Sequence, residues 1–166
     1  MRTNTTQTRI AEIVKKAPKI SFSNLPFATQ KVLVNFMAIR GDAWSDLISE
    51  NLWELGKWDN CHWRLVIGEV EKKQGSKLFK VFEIPTTLLT EHIYKTCLEV
   101  NSDHDSWQEY HEWYLCFDPK SVAVDTQCCP PCIYMDNEDV MEDGWDTLHS
   151  YVALDSKSIP LVGFCL

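Results

Sequence analysis

Apolar side chains recur at helical spacing through the first 58 residues of the chain. In the stretch 8–17, Ile10, Ile13 and Val14 share one helical face, and Pro18 ends the stretch because its ring cannot continue a helix. Two further stretches of this kind begin at capping side chains and end at glycines. The predicted helices cover residues 8–17, the segment from a cap at Ser23 or Asn24 to Gly41, and the segment from Ser45 to Gly56. We therefore predict a small helical N-terminal region over residues 1–58.

Beyond residue 58 the apolar spacing changes from about 3.6 residues to about 2. Residues 62–70 and 77–84 are rich in β-branched and aromatic side chains, and a charged turn that contains Gly75 separates them. This pattern is typical of a β-hairpin. Pro85 stops the second strand, and a helix is predicted at residues 87–97.

The last third of the chain alternates short strands with turns and one helix. The helix is predicted at residues 145–154, with Leu148, Val152 and Leu154 buried. The strands are predicted at residues 112–117, 121–124, 132–135 and 159–164, with a further short one at Val140-Met141. The whole pattern predicts an α+β fold: a small mixed sheet with packed helices, plus the helical N-terminal region.

Composition excludes several classes of protein. The chain is 45% hydrophobic and 11% aromatic, which excludes a mainly disordered protein. Its polar start lacks the apolar core of a secretory signal, and no apolar run approaches the roughly 18 residues of a spanning helix. We therefore expect a cytoplasmic protein without membrane contact. Its seven cysteines are expected to be reduced thiols, most of them small apolar core residues.

Charge is distributed unevenly along the chain. Residues 1–95 carry 14 Lys and Arg against 10 Asp and Glu, whereas residues 96–156 carry 14 acids against the single base Lys120. Such a surface repels nucleic-acid phosphate and attracts basic surfaces. The acids expected to bind are Asp136, Glu138, Asp139, Glu142, Asp143 and Asp146. The aromatic anchors expected beside them are Trp107, Trp113 and Trp145.

Several motifs of the second half, taken in order, resemble one known family. Residues 81–85 are similar to an opening strand, residues 131–136 to a strand that ends in aspartate, Asp143-Gly144 to a turn that opens a helix, and Ile159-Pro160 to the start of a strand. This series resembles the ParB/sulfiredoxin-like domain. The resemblance implies a small mixed sheet of ParB/sulfiredoxin type. The ParB-like α/β domain would span residues 59–166, with an insertion at about 95–120.

The family binds phosphate through Asp-Gly-x-His-Arg, where helix N–H groups and the His and Arg side chains hold the anion. This chain keeps Asp143-Gly144 but has Asp146 in the place of the histidine and Thr147 in the place of the arginine. Glu142, Asp143 and Asp146 repel an anion, and the sulfiredoxin variant needs a cysteine where Trp145 or Asp146 stands. The resemblance therefore implies the fold without the phosphate chemistry.

A C-x-x-C pair at Cys129 and Cys132, preceded by Cys128, is a candidate for half of a zinc site. A structural zinc site needs a second pair of ligands, and the sequence has no second C-x-x-C or H-x-x-x-H. We therefore expect no bound metal and no cofactor, with a zinc-stapled structural protein as an open alternative.

Three histidines with acids nearby, His104, His111 and His149, suggest a general base. No nucleophile stands at a recognisable strand-to-helix turn or glycine loop. We therefore interpret these histidines as surface or hydrogen-bonded residues.

The expected function is that of a non-catalytic, acidic binding protein. Its partner is expected to be the basic, nucleic-acid-binding surface of another protein, with no direct nucleic-acid contact. By analogy, such small acidic proteins are typical of phage and plasmid inhibitors of host defence, of the anti-CRISPR or DNA-mimic type, acting in the host cytoplasm. The alternative is a ParB-related nucleotide-dependent phosphotransferase or nuclease, in which acidic residues and a metal replace the missing arginine.

Overall fold

A computed structural model describes residues 5–39, 59–99, 103–117, 129–135 and 140–165 of the 166-residue chain. These residues form helices and a mixed sheet of five strands, which confirms the predicted α+β class. The strands are β1 (Lys19–Ser21), β2 (Leu78–Pro85), β3 (Cys132–Met135), β4 (Val140–Asp143) and β5 (Ser158–Phe164). Their order in the sheet is β1-β2-β5-β3-β4.

The described residues form six α-helices. They are α1 (Thr5–Lys16), α2 (Phe27–Ile39), α3 (Asn60–Gln74), α4 (Thr86–Ile93), α5 (Trp107–Phe117) and α6 (Trp145–Ala153). A 3₁₀ turn at Phe22–Asn24 precedes α2, and a π-helical segment at Tyr94–Leu98 continues α4. Within the described ranges, no helix has the length and apolarity needed to cross a membrane.

The chain forms two compact units. The N-terminal unit comprises Lys19–Phe79, and the main unit comprises Met1–Pro18 with Lys80–Leu166. This division differs from the predicted one at residue 58, because α1 belongs to the main unit and α3 to the N-terminal unit.

The N-terminal unit is built on α2 and α3, where the predicted strand at residues 62–70 proves to be a helix. Asp59 caps α3, since its side chain accepts a hydrogen bond of 2.8 Å from the backbone N–H of His62. Val66, Ile67 and Val70 are buried at a spacing that places them on one face of a helix. The predicted hairpin is wrong because β-branched content is a weak preference that packing against a neighbouring helix overrides. Only its second strand, residues 77–84, is confirmed, as β2.

The remaining helices predicted in the first 58 residues have different outcomes. The helix at 8–17 is confirmed as α1, with Ile10 and Val14 buried. The second predicted helix begins only at Phe27, because Ser23 and Asn24 lie in the 3₁₀ turn instead of capping it. The helix predicted at residues 45–55 lies outside the described residues.

The core of the main unit lies between the sheet and the helices α1, α4 and α6. Ile84, Tyr134, Leu148, Ile159 and Leu161 are each at most 1% exposed within it. The rings of Phe82 and Tyr134 meet edge to face at 5.6 Å. The full set of buried members of this core is Ile10, Val14, Phe82, Ile84, Leu88, Leu89, Ile93, Cys132, Tyr134, Met141, Leu148, Tyr151, Ile159 and Leu161.

The Asp-Gly turn lies where the sequence predicts it. β3 runs parallel to β5 and antiparallel to β4, which ends at Asp143. Gly144 has φ of 93°, a left-handed conformation that favours glycine, and α6 begins at the next residue. A Cβ at this position would come within 3.0 Å of the Cα of Cys132. The helix predicted at 145–154 and the strand at 159–164 are both confirmed, although Leu154 is 60% exposed and not buried as predicted.

Candidate functional site

Helix α5 occupies residues where the sequence pattern predicts a strand, 112–117, and this prediction is wrong. The helix begins with a capping box: the N–H of Glu109 donates to the Ser106 hydroxyl over 3.2 Å. In return, a Glu109 carboxylate oxygen accepts from the N–H of Asp105 over 2.9 Å. The Ser106 bond satisfies a free N–H of the first turn, and the Glu109 bond ties that turn to the residue before the cap. Both bonds stabilise a helix although the later residues are aromatic and favour strands. The predicted strand at 121–124 lies outside the described residues.

The inner face of α5 packs against α6 through a pair of histidines. The Nδ1 atoms of His111 and His149 are 2.7 Å apart, a hydrogen-bond distance. The two rings are 3° from parallel with their centroids 5.0 Å apart. This separation matches two imidazoles joined nitrogen to nitrogen in one plane. The histidines therefore join the helices edge to edge, and both are buried.

Aromatic rings on α5 enclose His149. The Tyr114 ring stacks on the imidazole at 3.8 Å and 11°, and the Trp107 indole is 5.2 Å away at 11°. Trp107 and Tyr114 are separated by about two helical turns on one face of α5, so the imidazole lies between them. The Tyr114 hydroxyl also donates to a carboxylate oxygen of Asp146 over 2.6 Å. These contacts fix the orientation of α5 relative to α6.

The histidine pair is neutral near pH 7. Burial, together with the neighbouring His111, lowers the pKa of His149 to about 3. Burial also lowers the pKa of His111, against an opposing effect of Glu112. One Nδ1 must therefore donate and the other accept. A buried base with so low a pKa is poorly matched to proton transfer at neutral pH, so the pair serves as a contact between helices.

The outer face of α5 presents a strip of aromatic rings. Trp113 is 45% exposed and Phe117 is 73% exposed. Their rings stack at 5.0 Å and 17°, and the Tyr110 ring stacks on Trp113 at 5.9 Å and 24°. We call Tyr110, Trp113 and Phe117 the aromatic strip.

Acidic side chains surround the aromatic strip. Asp103, Asp105, Glu109 and Glu112 are exposed, and the described segment 103–117 contains no lysine or arginine. We call these four acids together with the aromatic strip the acidic aromatic surface. Exposed rings and carboxylates on a segment without lysine or arginine form a surface that attracts cations.

The acids predicted to bind have varied environments. Asp136, Glu138 and Asp139 lie outside the described residues. Glu142 and Asp143 lie on β4 and are half-buried, as is Asp146, which accepts the bond from Tyr114.

The three predicted aromatic anchors differ in how exposed they are to solvent. Trp107 and Trp145 are half-buried and pack against the core, whereas Trp113 is exposed. Phe117 was not predicted as an anchor because residues 112–117 were read as a strand. The signal that identifies the helix, and with it the strip, is the capping box at Ser106 and Glu109.

The cysteines do not form a metal site in the described ranges. Cys132 is fully buried, where burial raises the pKa of its thiol, and its Sγ lies 3.4 Å from the carbonyl oxygen of Gly144. Cys129 is exposed, and Cys128 lies outside the described residues. Among the residues described, no group of three or more potential metal ligands is present. The expectation that most cysteines are buried is wrong for the described part of the chain, since Cys61 and Cys116 are also exposed.

No protein-family model matches this chain, no curated protein matches it, and no solved structure matches it. The resemblance to ParB/sulfiredoxin-like domains therefore stays a prediction that rests on the Asp143-Gly144 turn, the Ile159-Pro160 strand and the motifs around them. Function has to be argued from the geometry and charge of the acidic aromatic surface.

Proposed function

We propose that this protein is a non-catalytic binding protein whose acidic aromatic surface occupies a basic site on another protein. One observation carries the proposal: Trp113 and Phe117 are exposed and stacked on a segment that also bears four exposed carboxylates and no lysine or arginine. A single exposed apolar residue is ordinary. A stacked pair continuous with a third ring is a larger apolar surface, of the kind that anchors a protein interface.

The acids and the rings have different parts in such binding. Exposed carboxylates steer a basic partner toward the surface and raise the association rate, but each adds little to the affinity. Aromatic side chains bury a large area on contact and slow dissociation. A surface with both properties therefore associates quickly and holds its partner.

The contacts between α5 and α6 support this function because they fix the surface in advance. His111, which bonds His149, lies on the opposite side of α5 from Trp113, and Tyr114, which bonds Asp146, lies about 100° around the helix from Trp113. A surface that is already ordered loses less conformational entropy when it binds.

The charge of the chain suggests which partner is bound. Residues 96–156 hold 14 acids against one base, a density of negative charge that resembles the phosphates of nucleic acid. We propose a partner whose basic groove normally holds nucleic acid, and a biological role as a phage or plasmid inhibitor of a host defence protein, of the anti-CRISPR or DNA-mimic type. This role rests on analogy of charge and size.

A salt series of association rates tests the proposal, with a basic peptide of mixed lysine and arginine as the probe. The association rate should fall as salt shortens the Debye length from about 10 Å at 0.1 M to about 3 Å at 1 M. The double variant E109Q/E112Q should associate more slowly than wild type. Glutamine at position 109 keeps the capping acceptor, so the helix is retained.

The matched control is E12Q/E83Q, which removes two exposed carboxylates of the main unit that lie outside residues 96–156. A salt-independent rate, or an equal effect of the two double variants, would contradict the proposal. Calorimetry with nucleoside triphosphates and Mg²⁺ discriminates the alternative enzyme: micromolar binding would favour a nucleotide-dependent phosphotransferase or nuclease.

A further inference from the structure

The rings of the aromatic strip are stacked and near-parallel, so they cover one another's faces and leave open the outer face of Phe117 at the end. Successive rings are inclined by only 24° and 17°, from Tyr110 to Trp113 to Phe117. Because Phe117 is 73% exposed at the end of this stack, the strip offers an open flat area and not a pocket. A flat ligand that lies parallel to the rings fits such an area better than a spherical one.

The N-terminal unit shows how the same chain covers a half-buried ring. The guanidinium carbon of Arg64 lies 4.4 Å from the centroid of the Phe27 ring. The ammonium nitrogen of Lys31 lies 5.5 Å from the same centroid. Both distances are within the range of a cation–π contact, and the planar guanidinium comes closer than the ammonium. Within the described residues, neither Trp113 nor Phe117 has a lysine or arginine at such a distance, and the open face of Phe117 is accessible to a cation of a partner.

Two carboxylates near the strip in sequence can accept further hydrogen bonds. Glu112 directly precedes Trp113 in the chain, and one of its oxygens accepts from Gln108 over 2.9 Å. Glu109 lies one helical turn before Trp113 and accepts from the Asp105 N–H. A carboxylate offers about four acceptor positions, so each can take further donors. A guanidinium can stack with its face on a ring while its N–H groups donate in its own plane, which an ammonium cannot do.

We infer that the acidic aromatic surface selects arginine over lysine, and that its partner is an arginine-bearing segment of a basic protein. The guanidinium lies on the open face of Phe117 at the end of the stack, and the carboxylates of the acidic aromatic surface attract its charge. This inference rests on the proposed function and adds to it the chemistry of the recognised side chain.

The test compares two peptides of one sequence, in which every basic position is either arginine or lysine, by calorimetry at one ionic strength. The arginine peptide should bind about two- to fivefold more tightly for each stacked guanidinium, the range expected of an exposed cation–π contact. F117L and the double variant W113L/F117L keep apolar area but remove π faces. They should reduce the ratio of the two affinities toward one.

The control is W63L, the same substitution on α3 in the N-terminal unit, which should leave the ratio unchanged. Because Phe117 is the most exposed of these rings, F117L should fold even if the double variant does not. If neither peptide binds, the proposed function itself fails. If both peptides bind equally, or F117L keeps the full preference for arginine, the inference is overturned while the proposed function stands.

Discussion

The neutral histidine pair between α5 and α6 should make the protein sensitive to mild acid. In the folded protein the pKa of His149 is lowered to about 3 from its ordinary value of 6.5. Below pH 6.5 the unfolded chain therefore binds a proton that the folded protein excludes. Stability is present in full above that pH and is lost as the pH falls toward 3. Protonation of the accepting Nδ1 would also place the Nδ1–H groups of His111 and His149 against each other at a distance of 2.7 Å.

The size of the effect follows from the two pKa values. Each pH unit between them changes the free energy of unfolding by about 1.4 kcal/mol for one group. Between pH 7 and pH 5 the loss attributable to His149 is about 2 kcal/mol. This window lies above the ordinary range of carboxyl groups, so their protonation contributes little to it. His111, whose pKa is lowered by burial, changes the stability in the same direction.

The assay is urea unfolding at pH 7, 6 and 5, comparing wild type with H149N. Asparagine places an amide near the former Nδ1 and does not titrate. It lowers stability at every pH because the stacked ring is lost, but its free energy of unfolding should vary less with pH, by about 2 kcal/mol over this window. Histidines outside this contact contribute alike in both proteins, so the comparison isolates the His111–His149 pair. Parallel dependences on pH in the two proteins would refute the reasoning.

The remaining predictions concern a turn and a thiol. G144A should lower the free energy of unfolding by about 1–3 kcal/mol, because φ of 93° strains an alanine and its Cβ would meet Cys132 at 3.0 Å. G68A is the control, because a Cβ at this position of α3 meets nothing within 4 Å. Thermal denaturation should show that G68A raises the free energy of unfolding by about 0.5–1 kcal/mol. A loss of stability equal to that of G144A would contradict the argument. In native protein, iodoacetamide should label the exposed Cys116 and not the buried Cys132, whose pKa is raised by burial, as mass spectrometry of the digested protein would show. Equal labelling of both thiols would mean that β3 opens readily.

The elements that could be predicted from sequence are those in which local signals and tertiary contacts agree. The Asp143-Gly144 turn requires a left-handed residue, and glycine adopts that conformation at low cost. The strand at residues 159–164 is a short apolar run, and it is buried beside β3 in the sheet. Helix α1 shows its apolar positions at helical spacing, and the same positions are buried.

The elements that were predicted wrongly are rich in β-branched or aromatic residues and form helices. In α3, Val66, Ile67 and Val70 favour a strand by type but lie on one helical face by spacing. In α5 the aromatic residues likewise favour a strand by residue type, although the segment is a helix. Both helices begin with a capping side chain, at Asp59 and at Ser106, and these caps were the local signals available.

The sequence by itself determined the composition of the candidate surface. Charge is additive along the chain, so the acidic character of residues 96–156 follows from counting, whatever the fold. The presence of aromatic residues in the same segment could also be read directly. For this reason an acidic surface with aromatic anchors was predictable.

Only the tertiary structure decided which aromatic residues face solvent. Trp107 and Trp113 are alike in type and near in sequence, but six positions on a helix place them on different faces. Trp107 packs beside His149, whereas Trp113 stacks with Phe117 in solvent. The histidine pair likewise joins residues 38 positions apart. Burial and pairing depend on distances between elements, and those distances are set by the packing of the whole main unit and not by any local pattern.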